Sequence, residues 1–170
     1  MRSFRLLLMV CAAVAMGGCA GYRLGPSNGQ TAGEKSLQIT PFTNRTPEPR
    51  LADAVTAALR KQVQRDGTYR LATRDAGDIV VTGVLTRYYR EEVSFVPDDV
   101  VTVRDYRIWM TAQVTARERS TGRVLLDQSV TGRTLIRVGS DLTSAERQGL
   151  PLLAEDLAKQ IVGSLADGSW

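Results

Sequence analysis

The sequence predicts an α+β fold: two helices packed on one face of a roughly four-stranded, mainly antiparallel sheet, in the order β-α-β-β-β-α. Three patterns carry that expectation. Residues 105–117 alternate between apolar and polar, the period of a strand with one buried face. Two other segments repeat apolar residues at helical spacing, each along a single stripe. A stripe of that kind must be buried against another layer, and one sheet can bury both.

Each element follows from local chemistry. Ser36–Phe42 reads as the first strand, with Leu37 and Ile39 alternating. Pro41 cannot donate to a ladder, so that end should sit at an edge or leave the sheet. Thr46 is placed to cap a helix whose first turn holds Pro47 and Pro49. Leu51, Val55, Ala58, Leu59 and Val63 form its apolar stripe, and Gly67 is its expected stop. Ile79–Tyr89 is a strand apolar on both faces, with Ile79, Val81 and Leu85 on one side and Val80, Val84 and Tyr88 on the other. Asp105–Arg117 sends Tyr106, Ile108, Met110, Ala112, Val114 and Ala116 one way and Arg107, Trp109, Thr111, Gln113 and Thr115 the other. Ser120-Thr121-Gly122 turns the chain into Arg123–Arg137, with Val124, Leu126, Val130 and Ile136 toward the core. The last helix spans about Ser144–Ala166, with Thr143 and Glu146 at capping-box spacing. Leu150, Leu153, Leu157, Ile161 and Leu165 form its buried stripe, and Pro151 predicts a kink or restart.

Residues 1–18 read as a removable leader: a basic start, an eleven-residue apolar core from Leu6 to Met16, then Gly17 and Gly18. That core is too short to span a bilayer as a helix. Met16-Gly17-Gly18-Cys19 resembles a bacterial lipobox, so Cys19 is the expected lipid attachment site, carrying diacylglycerol and an N-acyl chain. Cys11 leaves with the leader, so no disulfide can form in the mature chain. Ala20 resembles an outer-membrane address. Residues 19–34 form the lidpidated tether, rich in Gly, Ser and Asn, and residues 35–170 a single α+β domain.

Composition narrows the function. There is no His, which removes the usual general base and every His-based metal site. No phosphate-cradling glycine loop and no nucleophile motif is present, so neither an enzyme, a metal site nor a cofactor is expected. Of the 22 basic residues, Arg2 and Arg5 leave with the leader, so 20 remain against 18 acidic ones, an excess of only two, and a nucleic-acid partner is not expected either. The connection 90–104, with Glu91, Glu92, Asp98 and Asp99, reads as a solvated hairpin tip, and Asp75 and Asp78 as turn residues. Nineteen of the basic residues are Arg, whose planar fork suits phosphate and carboxylate. Arg107, Arg133 and Arg137 fall on outward registers of adjacent strands and Trp109 shares that side, which makes these four a candidate ligand or partner face.

Several segments together resemble the lipopolysaccharide-assembly lipoprotein family, LptE. They are Cys19-Ala20-Gly21-Tyr22-Arg23-Leu24, Thr40-Pro41-Phe42-Thr43-Asn44-Arg45-Thr46, Gln64-Arg65-Asp66-Gly67, Ser120-Thr121-Gly122-Arg123-Val124-Leu125 and Ala154-Glu155-Asp156-Leu157-Ala158. The chain departs from the family pattern at Met16 and at Gly149 and Pro151. The resemblance implies an outer-membrane lipoprotein partnered with the large β-barrel LptD. It would help that barrel fold, plug its lumen and help deliver lipopolysaccharide to the outer leaflet. The domain would lie on the periplasmic side or inside the lumen. The alternative class is a pilotin-like lipoprotein that escorts another outer-membrane assembly.

Overall fold

A computed structural model describes residues 32–74, 76–139 and 141–168. The leader, Cys19, most of the tether and Asp75 lie outside the described residues. The elements are β1 (Ser36–Ile39), β2 (Thr43–Asn44), α1 (Leu51–Asp66), β3 (Arg70–Leu71), β4 (Ile79–Val96), β5 (Asp99–Glu118), β6 (Val124–Arg137) and α2 (Leu142–Ala166). They form the expected α+β arrangement, with two additional two-residue strands. The sheet order is β3-β1-β4-β5-β6, and β2 pairs with β4. The β4-β5-β6 ladder is antiparallel, whereas β1 runs parallel to both β3 and β4, and β2 parallel to β4.

The predicted first strand, Ser36–Phe42, is shorter, ending at Ile39, and a second piece, β2, follows it on the same edge of β4. Thr40 still donates to the Val81 carbonyl, but Pro41 ends the ladder and Phe42 turns into the core. The space for its ring is made by Gly83, where an added Cβ would fall 2.1 Å from Phe42. Pairing resumes at Thr43.

Helix α1 starts later than Thr46 because that residue is already engaged. Its amide and hydroxyl both donate to Asn44 Oδ1, at 2.9 and 2.8 Å, and Asn44 Nδ2 donates to the Glu48 carbonyl. The prolines therefore sit in a turn before the helix, which opens on Arg50 in the left-handed region at φ 68° with no side-chain cap. Gly67 ends it as expected, at φ 74° with its amide on the Val63 carbonyl. Helix α2 is capped by Asp141, which accepts from the Ser144 amide, rather than by Thr143. It runs through Pro151 as one continuous helix.

The core lies between the helices and one face of the sheet. Leu37, Leu85, Ile108, Met110, Leu153, Leu157 and Ile161 have no exposed surface. Two departures from strict alternation re-aim side chains. A bulge between Leu85 and Arg87 brings Tyr88 opposite Met110 on the core side and Tyr89 opposite Trp109 on the outer side. A second irregularity, where Ala116 pairs with Leu126 and Arg117 with Val124, buries Leu125 and leaves Val124 exposed. The segment read as a solvated hairpin tip is exposed, as expected, but is strand on both arms, and β4 turns into β5 through Pro97 and Asp98 alone. Asp98 takes the left-handed position at φ 66°. The sheet thus narrows along its length. It has five strands abreast at the level of β1, four at the level of β2, three where β4, β5 and β6 continue past Asn44, and two beyond the Asp105–Arg137 pair.

At Gly132 of β6 the sheet comes close to the backbone of α2. A Cβ there would meet the backbone nitrogen of Leu157 at 2.7 Å and its Cα at 2.9 Å. Gly132→Ala should therefore lift α2 from the sheet and cost about 1–3 kcal/mol of stability, measured by urea unfolding. An unchanged midpoint would show that this approach does not set the layer spacing.

Candidate functional site

The helices cover one face of the β4-β5-β6 ladder, and the opposite face is a connected row of polar and aromatic side chains. Strand alternation on β5 places Arg107, Trp109, Thr111, Gln113 and Thr115 there, as the sequence predicts. Cross-strand pairing sets their neighbours. Tyr89 stands opposite Trp109 on one side and Arg133 opposite it on the other. The Tyr89 and Trp109 rings stack with centroids 6.0 Å apart and planes within 8°. The Arg133 and Arg107 guanidiniums lie 5.6 and 6.0 Å from the Trp109 ring centre. Glu91 ties the cluster together: its Oε2 accepts from Trp109 Nε1 at 3.1 Å and from Arg107 at 3.5 Å. Further down, Thr111 and Thr131 share a hydrogen bond, and Asp127 accepts from Gln113 and Thr115.

Three of the four predicted residues therefore form one cluster: Arg107, Trp109 and Arg133. Arg137 shares their face but is engaged elsewhere. Its Nε donates to Asp105 Oδ1 at 2.8 Å, while Arg104 and Ser94 donate to Oδ2 at 2.9 and 2.5 Å. Asp105 is buried, and its three donors, Arg137 foremost, hold its carboxyl well below the usual carboxylate range. Arg137 keeps most of its side chain in solvent. Tyr89 and Glu91 belong to the cluster but fall on the other register in an unbroken strand; only the bulge turns them outward. Arg87, opposite Thr111 on the same face, is exposed beside them.

Elsewhere the polar groups build structure. Ser36 donates from its amide and hydroxyl to Asp78 Oδ2, at 2.8 and 2.6 Å, and Asp78 returns its amide to the Ser36 hydroxyl. Those bonds lower the Asp78 carboxyl's pKa. Tyr88 and Arg90 both donate to Glu146, which joins β4 to the first turns of α2, and burial pushes the Tyr88 phenol upward. A cleft of about 390 Å³ beside them is lined by Pro47, Glu48, Tyr88, Tyr89, Arg90 and Glu146. Glu146 is paired with Arg90, and the lining contains no Ser, Thr or Cys. Among the described residues no group of three carboxylates or thiols is placed to hold a metal ion. No described helix is long and apolar enough to cross a membrane.

The domain is thus a two-layer α+β unit with one sheet face open and largely pre-bonded. The lipopolysaccharide-assembly family LptE matches residues 34–165, and the chain belongs to that family. No curated protein matches it by sequence. Several solved structures share the fold. Hypothetical protein CT253 from Chlamydia trachomatis is similar at 10% identity and a TM-score of 0.57, covering 80% of this chain and 96% of that one. Protein XCC0632 from Xanthomonas campestris is similar at 12% identity and 0.57, covering 86% and 92%. A minor lipoprotein from Acinetobacter baumannii is similar at 13% identity and 0.51, covering 78% and 92%.

The Asp105 tie makes a pH-dependent contribution. Its folded pKa lies below the unfolded value of about 4, so the stabilisation is complete above that value and is lost as pH falls through it toward the folded pKa. Asp105→Asn should lower the thermal midpoint at neutral pH and shrink the remaining fall between roughly pH 5 and pH 3. Parallel midpoint-against-pH curves for the two proteins would show that Asp105 does not contribute.

Proposed function

We propose that this protein is an outer-membrane lipoprotein, anchored through Cys19, that helps the lipopolysaccharide-translocating barrel LptD to fold and occupies its lumen as a plug. Lipopolysaccharide delivery to the outer leaflet then depends on it. The observation that carries this reading is the uncovered face of β4, β5 and β6, coupled with membership of the lipopolysaccharide-assembly family. A polar face rich in Arg, Thr and Gln matches a barrel interior, which is polar where the outside is apolar. Arg107, Trp109 and Arg133, supported by Tyr89 and Glu91, are the contact cluster, with Arg137 at its margin. Arginines beside an aromatic pair suit phosphate- and sugar-bearing ligands as well as a protein wall. An acyl anchor holds the domain where the barrel assembles and raises its effective concentration there. The protein acts in stoichiometric complex and not as an enzyme.

Three measurements test this reading. Mass spectrometry of the mature N-terminus should find a diacylglyceryl, N-acylated Cys19; an unmodified Cys19 there would refute the anchor. Depletion should reduce assembled LptD and surface lipopolysaccharide in proportion to the protein lost. Recovery of a secretin instead of LptD in gentle detergent extracts would favour a pilotin role. Replacing Arg107, Trp109 and Arg133 together by Ala should reduce LptD recovery at least tenfold and leave the core intact, because all three project from the uncovered face. Full recovery of the barrel with that variant would remove the cluster from the interface.

A further inference from the structure

Strand β4 loses one neighbour halfway along. β1 and β2 pair with it only as far as Leu85, and the remainder, through Val96, has β5 on one side and no described strand on the other. The ladder fixes which backbone groups that edge presents. Thr40 and Arg45 donate to the carbonyls of Val81 and Leu85, so up to that point the odd-numbered residues face β1 and β2. The bulge between Leu85 and Arg87 shifts the alternation by one. Arg87, Tyr89 and Glu91 then bond to β5, opposite Thr111, Trp109 and Arg107, and Tyr88, Arg90 and Glu92 turn their N–H and C=O groups to the open side. Pairing with β5 is regular from Arg87 to Glu92. The cleft of about 390 Å³ between the Pro47–Glu48 turn and Tyr88–Arg90 leaves room beside this edge.

The other edges of the sheet are interrupted or short. The β6 edge is stopped at Arg133, whose amide donates to Asp156 of α2, and β3 has only two residues. The open edge of β4 also adjoins apolar surface, because Tyr89, Val93, Phe95 and Val96 are all exposed. Charge decides what can lie against it. A second copy paired antiparallel about a two-fold axis sets one residue opposite its own counterpart. Registers centred on Arg90, Glu91 or Glu92 would therefore oppose Arg to Arg or Glu to Glu, and like charges directly opposite are destabilising. The edge resists self-pairing and stays available to a foreign strand.

We propose that the open edge of β4, from Arg87 to Glu92, pairs by backbone hydrogen bonds with an unclosed strand of the barrel partner and serves as a template while that barrel folds. A barrel strand of about 9–11 residues has unsatisfied donors and acceptors on both edges until the barrel closes, and an apolar face with no lipid yet to cover it. β4 offers that strand backbone partners at Tyr88, Arg90 and Glu92, and exposed apolar side chains just beyond them. Closure gives every barrel strand two neighbours of its own, so the finished barrel releases the edge. The domain then keeps its place in the polar lumen through the open sheet face. The inference rests on the barrel partnership proposed above and adds to it how the folding help is given.

The test follows amide hydrogen exchange in the chain from residue 19 onward with Cys19→Ser. The probe is a soluble peptide of about ten residues that alternates valine with threonine, glutamine and lysine. Saturating peptide should slow exchange of the Tyr88, Arg90 and Glu92 amides at least about tenfold and leave Tyr89 and Glu91, already bonded to β5, unchanged. Glu92→Pro removes one edge donor without breaking a bond to β5, whereas Glu92→Ala keeps it. The Pro variant should bind the peptide about fivefold more weakly than the Ala variant. Val93→Lys leaves every backbone donor in place and puts a charge on the edge; it should weaken binding too, which keeps the test valid if the Pro variant folds poorly. No binding, no alternation in the protected amides, or wild-type affinity in both Glu92→Pro and Val93→Lys overturns edge pairing. In cells, the Pro strain should hold less assembled LptD than the Ala strain at equal protein level, and equal barrel in the two overturns the template role alone. Wild-type protein that recovers no LptD would instead remove the partner, and the reading above with it, whatever the exchange pattern.

Discussion

The absence of a side chain at position 132 sets how close the two layers can come. With only hydrogen on that Cα, the backbone of α2 rests directly on β6 at Leu157. Leu153, Leu157 and Ile161 are then buried in one cluster with Ile108, Met110 and Ala112. Asp156, one residue away on α2, reaches the outward amide of Arg133 and satisfies a donor that an edge strand would otherwise leave to solvent. Gly149 repeats the device one helical stretch earlier, where a Cβ would fall 2.3 Å from Ile136. Close seating of α2 on this side of the sheet buries Ile108, Met110, Ala112 and Val114 and consigns every odd-numbered side chain of β5 from Arg107 to Arg117 to the other.

That outer face is stiff before anything binds it. Cross-strand pairs contribute about 0.2–1 kcal/mol each, and an exposed cation over an indole about 0.5–1 kcal/mol. Their larger effect is to fix rotamers. Trp109 has Tyr89 against one side, Arg133 against the other and Glu91 on its ring nitrogen. A partner meeting this surface orders few side chains, so less of the contact energy is lost to entropy.

Much of this was legible in the sequence because β5 and the helical stripes obey simple periods. Arg107, Trp109 and Arg133 fall on the outer face by alternation alone, and Gly67 ends α1 where a left-handed residue is needed. The remainder depended on departures from period that no spacing encodes. An additional residue near Thr86 exchanges the faces of Tyr88 and Tyr89, hiding one half of the aromatic pair from a reading by alternation. Thr46 looks like a helix cap until Asn44 takes its hydroxyl. Arg137 looks like a free surface cation until burial of Asp105 gives it a partner. The carboxylates of residues 91–99 suggest a loop, yet the Val-, Phe- and Thr-rich stretches around them favour strand, and the Pro97-Asp98 turn needs no loop.

The stepwise narrowing of the sheet makes β4 and β5 a cantilever. Its root is clamped by β1, β2 and β6 and by the helices above, its middle is supported by β6 and the Glu146 tie, and its free end has only its own ladder. Stiffness therefore falls in steps toward Pro97, and the ion cluster at Asp105 sits where the last support ends. A force applied at the tip, near the exposed Phe95 and Val101, would be felt as bending at that cluster first.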